Sequence, residues 1–152
     1  MFRVSSRGRY AVKAVYELAL HAGRGPMTVG AIAHAQNIPE QYLEQLMPSL
    51  KRAGLVRGMR GAQGGYQLAG DPAEISVRDV VQAVEGPIVV AECAESGPGC
   101  EAMEFCIGPD VWTRVQEAVD DAMSQITLER LIRDQRERPL LPMEERVVPG
   151  GG

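Results

Sequence analysis

The sequence predicts a mainly α-helical fold with one small β-hairpin, and three observations predict it. Apolar residues recur every three or four positions in six separate stretches, the spacing of a single buried helix face. Two short β-prone runs, Leu55-Val56-Arg57 and Tyr66-Gln67-Leu68-Ala69, flank a loop rich in Gly and Arg, as in a hairpin. Across the 152 residues, 45% are hydrophobic and 24% charged, enough apolar material for a core. Aromatics make up only 5%, so packing must rest on Leu, Val, Ile, Ala and Met.

In chain order, the first helix spans Arg7 to Ala22. Its stripe is Ala11, Val15, Leu18, Ala19 and Ala22, Ser5 or Ser6 can cap it, and Gly23-Arg24-Gly25-Pro26 ends it. Thr28 caps a short second helix carrying Val29, Ile32 and Ala33. Asn37 follows, a residue that tolerates the left-handed conformation of a tight turn. Pro39 suits the first position of a third helix, which runs to Ala53, buries Leu43, Leu46 and Leu50 and stops at Gly54. Beyond the hairpin and Asp71-Pro72, a helix over Ser76 to Val84 turns Val77, Val80, Val81 and Val84 inward. Gly86-Pro87 ends it. A long helix then starts at Asp110 or Val111 with Val111, Trp112, Val115, Ala118, Val119, Ala122 and Ile126 on one side. Thr127 re-caps a last short helix with Leu128, Leu131 and Ile132.

Two short helices across a tight turn, the second amphipathic, outline a helix-turn-helix, and a hairpin directly after it is a wing. The long apolar stripe has the character of a dimer seam, an intramolecular core helix being the alternative. The expected division is therefore a winged helix-turn-helix DNA-binding domain at 1–86, a cysteine loop at 87–109, dimerisation helices at 110–136 and a disordered tail at 137–152.

Charge separates the two ends of the chain. Residues 1–69 hold nine Lys or Arg against three acids, +6, and residues 70–152 hold seven against seventeen, −10. A basic front half suits a polyanionic partner, here double-stranded DNA. With only His21 and His34 available, no nucleophile–His–acid set is visible, and neither a phosphate loop nor a dinucleotide fingerprint occurs, so an enzyme is not expected. No apolar run reaches the ~18 residues of a membrane span. The first residues lack the pattern of a secretory signal, and a cytoplasmic protein is expected.

All three cysteines, Cys93, Cys100 and Cys106, fall in one stretch without helical period, spaced Cys-x6-Cys-x5-Cys. An odd count in a cytoplasmic chain disfavours a disulfide framework. Thiolates gathered on a loop suit an iron–sulphur cluster or zinc, and redox-active thiols are a third possibility. Structural zinc usually brings a closely spaced Cys pair and four ligands, and this array has neither.

Four segments, Val4-Ser5-Ser6-Arg7-Gly8-Arg9-Tyr10-Ala11-Val12, Tyr42-Leu43-Glu44-Gln45-Leu46, Arg60-Gly61-Ala62-Gln63-Gly64-Gly65-Tyr66 and the three-cysteine loop, occur in the order found in the Rrf family of bacterial winged-helix regulators. The sequence resembles that family over about residues 1–134, and its iron–sulphur cluster regulators and nitric-oxide sensors above all. The resemblance implies a transcriptional regulator that binds a promoter palindrome as a homodimer. Its cluster (2Fe–2S or 4Fe–4S) would sit on Cys93, Cys100 and Cys106 and sense iron, redox or nitric oxide status. The alternative is a winged-helix regulator whose cysteines act as thiol switches or bind zinc. Two positions depart from the pattern: where relatives place a fourth cluster ligand, a His or an Asp, this chain has Pro109 and Arg9. The candidates left are His34, Asp110, one of Glu92, Glu95, Glu101 and Glu104, or an exogenous molecule.

Gln41, Glu44 and Gln45 share one face of the third helix, and Gln can pair with adenine while Glu can accept from cytosine. The resemblance matches these positions to base contacts and Arg60 to a wing arginine, with Gln63 beside it. Arg3, Arg7, Arg9, Lys51 and Arg52 are expected on phosphates, where they set affinity and its salt dependence.

Overall fold

The computed structural model describes residues 3–62, 64–91 and 109–138. The elements are α1 (Ser6–Leu20), α2 (Val29–Gln36), α3 (Glu40–Arg52), β1 (Val56–Met59), β2 (Gly65–Leu68), α4 (Val77–Glu85), α5 (Pro109–Gln125) and α6 (Leu128–Glu137). This is the mainly α fold with a small antiparallel hairpin that the sequence predicts, a winged helix-turn-helix followed by a long C-terminal helix.

Local chemistry accounts for most of the boundaries. Thr28 Oγ1 accepts from the Ala31 N–H at 3.1 Å and so caps α2. Asn37 ends that helix at φ 52°, the left-handed turn its side chain permits. Pro39 stands one position earlier than expected: its backbone is extended and Glu40 is the first helical residue. Ser76 and Asp79 form a reciprocal capping box at the start of α4, with bonds of 3.0 and 3.1 Å. The hairpin is tighter than expected. Gly58 pairs with Tyr66 and Met59 with Gly65, so the strands run further towards the tip. Gly65 is needed there: at φ 146° a side-chain carbon would collide with the Met27 backbone. Met27 exchanges both backbone bonds with Tyr66 (2.9 and 2.7 Å) and acts as a one-residue third strand.

A single core joins these elements. Ala11, Val15 and Leu18 of α1, Ile32 of α2, Leu43, Leu46 and Leu50 of α3, Val56 and Val80 are all buried in it. Tyr66 packs at its edge. Leu128, the first residue of α6, is buried in the same core, with Leu131 and Ile132 against it. The α5–α6 junction is tied to the start of α4 by Val77 N–H to Ile126 carbonyl (2.8 Å) and Leu128 N–H to Ile75 carbonyl (2.9 Å). Among the described residues no helix is long and apolar enough to cross a membrane.

Candidate nucleic-acid interface

Helix α3 owes its form to two opposed faces. Leu43, Leu46, Met47 and Leu50 are fully or almost fully buried, which fixes its rotation about its own axis. The opposite face then presents Gln41, Glu44 and Gln45 to solvent, and Lys51 and Arg52 lie exposed in its last turn. Tyr42 flanks the core side, its ring edge-on to Tyr10 of α1 with centroids 5.3 Å apart. A helix held by its leucines with amides and a carboxylate outward can offer donors and acceptors to base edges in a major groove.

Exposed Pro48 completes this outward face, one turn beyond Glu44, and the sequence reading passed over it. Its nitrogen has no proton for the Glu44 carbonyl, and a proline inside a helix costs about 3 kcal/mol relative to alanine. Spacing was the signal that could have found it, since 41, 44, 45 and 48 follow i, i+3, i+4, i+7.

The wing stands next to α3. Lys51 Nζ approaches Gly58 so closely that a Cβ there would meet it at 3.6 Å, joining the end of α3 to β1. Arg60 is exposed at the tip, beyond the exposed Met59. A side-chain carbon on Gly64 would sit 2.7 Å from the Met59 carbonyl, so the turn admits only glycine there. Gln63 lies outside the described residues.

Arg3, Arg7 and Arg9 are exposed and gather about the N-terminus of α1. Arg7 is partly committed within the fold, its Nε donating to the Val84 carbonyl at 3.3 Å. Arg9 reaches Ser6 Oγ at 3.3 Å. The Ser5 hydroxyl, expected to cap α1, instead donates to the Glu85 carboxylate at the end of α4. That carboxylate also accepts the Ser5 N–H (2.8 Å) and the Gly8 N–H (3.2 Å), so a residue eighty positions away does the capping.

Glu85 stands at the beginning of the stretch that leads to the cysteines. Three residues on, Gln116 of α5 takes hold of the chain: its Nε2 donates to the Ile88 carbonyl at 2.6 Å and its Oε1 accepts the Val90 N–H at 2.7 Å. Arg78 and Asp120, 3.4 Å apart, add an ion pair between α4 and α5. The stretch 85–90 is thereby fastened to the DNA-binding half on one side and to α5 on the other. Sequence gave no sign of either contact, because both partners are distant.

Cys93, Cys100, Cys106, Glu92, Glu95, Glu101 and Glu104 lie outside the described residues, as do 139–152 of the tail. Of the other candidate ligands, His34 is exposed on α2, and Asp110 lies in the first turn of α5. Among the described residues no group of three or more His, Cys, Asp or Glu is placed to hold a metal. Arg9 and Pro109, at the positions matching a fourth ligand in relatives, carry no donor for one.

The apolar stripe of α5 is largely uncovered. Val111, Trp112 and Val115 are 44%, 43% and 37% exposed, and Ala118 and Ala122 are exposed as well. These three large apolar side chains stand together near the start of α5.

Comparison with known proteins bears on this arrangement directly. The Rrf2 family, described as iron-dependent transcriptional regulator, matches residues 4–134. The HTH-type transcriptional regulator CymR of Bacillus subtilis is 37% identical over 129 residues, 85% of this chain and 88% of its own. Its structure, described as that of the global cysteine regulator, superposes with a TM-score of 0.74 at 36% identity, covering 88% of this chain and 98% of that one. The HTH-type transcriptional regulator IscR of Serratia proteamaculans is 37% identical over 133 residues, 88% of this chain and 80% of its own. The oxidized form of Staphylococcus aureus CymR superposes with a TM-score of 0.66 at 34% identity, covering 91% of this chain and 99% of that one.

Proposed function

The chain belongs to the Rrf2 family of transcriptional regulators, and from that premise we propose that it binds promoter DNA as a homodimer under the control of its three cysteines. It is a DNA-binding regulator and not an enzyme. The observation that carries the reading is the outward face of α3, where Gln41, Glu44 and Gln45 stand over a buried leucine face beside a wing tipped with Arg60. Each protomer lays α3 in a major groove and sets its wing against the flanking backbone, and Gln63 joins Arg60 in contacting DNA. Arg3, Arg7, Arg9, Lys51 and Arg52 neutralise phosphates. The uncovered α5 stripe pairs with that of a second copy, placing the two α3 helices on a palindrome in the cytoplasm. The proposed division is a DNA-binding domain at 1–86 and a sensing loop from 87 to the start of α5; of the helices expected to dimerise at 110–136, α5 carries the seam while α6 packs back on the headpiece, and the tail follows Glu137.

Control resides in the stretch between α4 and α5. With neither Arg9 nor Pro109 able to complete a four-ligand set, the reading favoured is one in which the thiols themselves respond, by reversible oxidation or by zinc. Likeness to Staphylococcus aureus CymR, solved in an oxidized form, supports it. A change at the cysteines reaches the DNA-binding half through residues 85–90, held by Glu85 at α1 and by Gln116 at α5. Coupling of about 1–3 kcal/mol changes DNA affinity about 5- to 150-fold.

A second reading, an iron–sulphur cluster (2Fe–2S or 4Fe–4S) on Cys93, Cys100 and Cys106, is favoured by the iron-dependent description of the family and by the IscR relatives. Its fourth ligand would come from His34, Asp110, one of the four nearby glutamates or a small molecule. When bound, such a group would supply redox and nitric oxide sensitivity. The test is protein purified without oxygen, with iron, sulphide and zinc counted and duplex affinity measured before and after mild oxidation. Colourless protein whose affinity shifts at least tenfold on oxidation and returns with dithiothreitol supports the thiol reading. Stoichiometric iron and sulphide replace it with the cluster reading. Affinity indifferent to oxidant, chelator and cysteine replacement removes cysteine control altogether.

A further inference from the structure

A proline in the ninth position of a thirteen-residue helix demands a reason. Prolines stabilise a helix only in its first turn, and Pro48 lies well past it. Burial does not supply the reason, because Pro48 is exposed while Met47 and Leu50 on either side of it fill the core. Nor is it part of a turn: α3 runs unbroken from Glu40 to Arg52. The helix thus gives up a backbone hydrogen bond at the Glu44 carbonyl, and among the described residues Pro48 takes no part in the core that could offset it.

The return lies on the outward face. A helix lying in the major groove can reach base edges from positions spaced i, i+3, i+4 and i+7, as that of the homeodomain does. Gln41, Glu44 and Gln45 fill the first three, and Pro48 is the fourth. Its neighbours supply every polar function a base edge can pair with: amide donors and acceptors at 41 and 45, a carboxylate acceptor at 44. Pro48 offers none. It offers a rigid ring of three methylene groups whose presentation costs no side-chain entropy. The one apolar feature in the major groove is the 5-methyl group of thymine.

We propose that Pro48 is a specificity-determining residue that packs its ring on a thymine methyl in each half-site of the operator. The inference rests on α3 being the base-reading helix. Should Gln41→Ala and Gln45→Ala leave binding unchanged, that reading fails before Pro48 is in question.

The experiment uses a duplex selected from a random-sequence pool by the full-length wild-type protein. Each thymine is replaced in turn by deoxyuridine, which removes only the methyl group. Affinities are measured for wild type, Pro48→Ala and Pro48→Gly, with thermal unfolding recorded for all three. The expected result has three parts. One thymine per half-site weakens wild type about fourfold when demethylated, the worth of one methyl group removed from water. Pro48→Gly loses that sensitivity at that position only, and Pro48→Ala, keeping one methyl group, retains part of it. Pro48→Ala also unfolds at a higher temperature than wild type, because the helix regains its bond. Wild type indifferent to every replacement overturns the proposal, as does equal sensitivity in all three proteins. A lower unfolding temperature for Pro48→Ala overturns it too, since the proline would then be serving the fold.

Discussion

The two ends of the chain treat their apolar residues in opposite ways. In the α1–α4 headpiece Leu43, Leu46 and Leu50 show no surface, and α6 returns to add Leu128 to the same core. Along α5, Val111, Trp112 and Val115 each keep more than a third of their surface in water. Helical periodicity is equally clear in both places, so period alone says that a face exists and not where its partner comes from. The headpiece finds its partner within the chain; the α5 stripe finds none among the described residues, and under the proposed function a second copy covers it. Substitutions in the first region should therefore act on folding, and those in the second on assembly.

The largest effect separates them most sharply. Leu46→Ala removes a fully buried side chain from the middle of α3 and is expected to cost about 2–5 kcal/mol of unfolding free energy, read as a drop in urea midpoint. Val115→Ala on α5 should move that midpoint far less at protein concentrations where the chain is monomeric. Equal losses from both would erase the distinction between the two faces.

Next comes the converse substitution. Trp112→Glu with Val115→Glu sets charge on the uncovered stripe. Sedimentation should show the dimer shifting to monomer by at least tenfold in dissociation constant, while helical circular dichroism is retained. DNA affinity falls in step, since a monomer engages one half-site. A variant that stays dimeric would place the seam elsewhere than α5.

Much of the headpiece was legible because its determinants are local. The two faces of α3, the Thr28 cap, the left-handed Asn37 and the wing all follow from residues within a few positions of one another. Legibility ended where partners are remote. Glu85 caps α1 from eighty residues away, and Gln116 grips Ile88 and Val90 from another helix; a lone Glu or Gln in the sequence names no partner. Met27 pairs as a strand of one residue, too short to show alternation. Pro48 was legible in principle, yet the reading of α3 stopped at three outward positions. The cysteines and Gln63 lie outside the described residues, so their spacing still carries their interpretation.

The smallest effect tests the joint where the two regions meet. Thr127 Oγ1 accepts the Arg130 N–H at 3.1 Å and caps α6. Its backbone neighbours Ile126 and Leu128 bond to Val77 and Ile75 at the start of α4. Thr127→Ala removes the side-chain cap and leaves those backbone bonds in place, so the expected loss is about 1 kcal/mol, the ordinary worth of a cap. Because Leu128 belongs to the headpiece core, the loss should register in the same cooperative unfolding transition as Leu46→Ala, with dimer affinity unchanged. A separate, earlier transition for α6 would mean that the helix is an independent appendage of α5. An unchanged midpoint would mean that the backbone bonds and the buried Leu128 hold the joint without the cap.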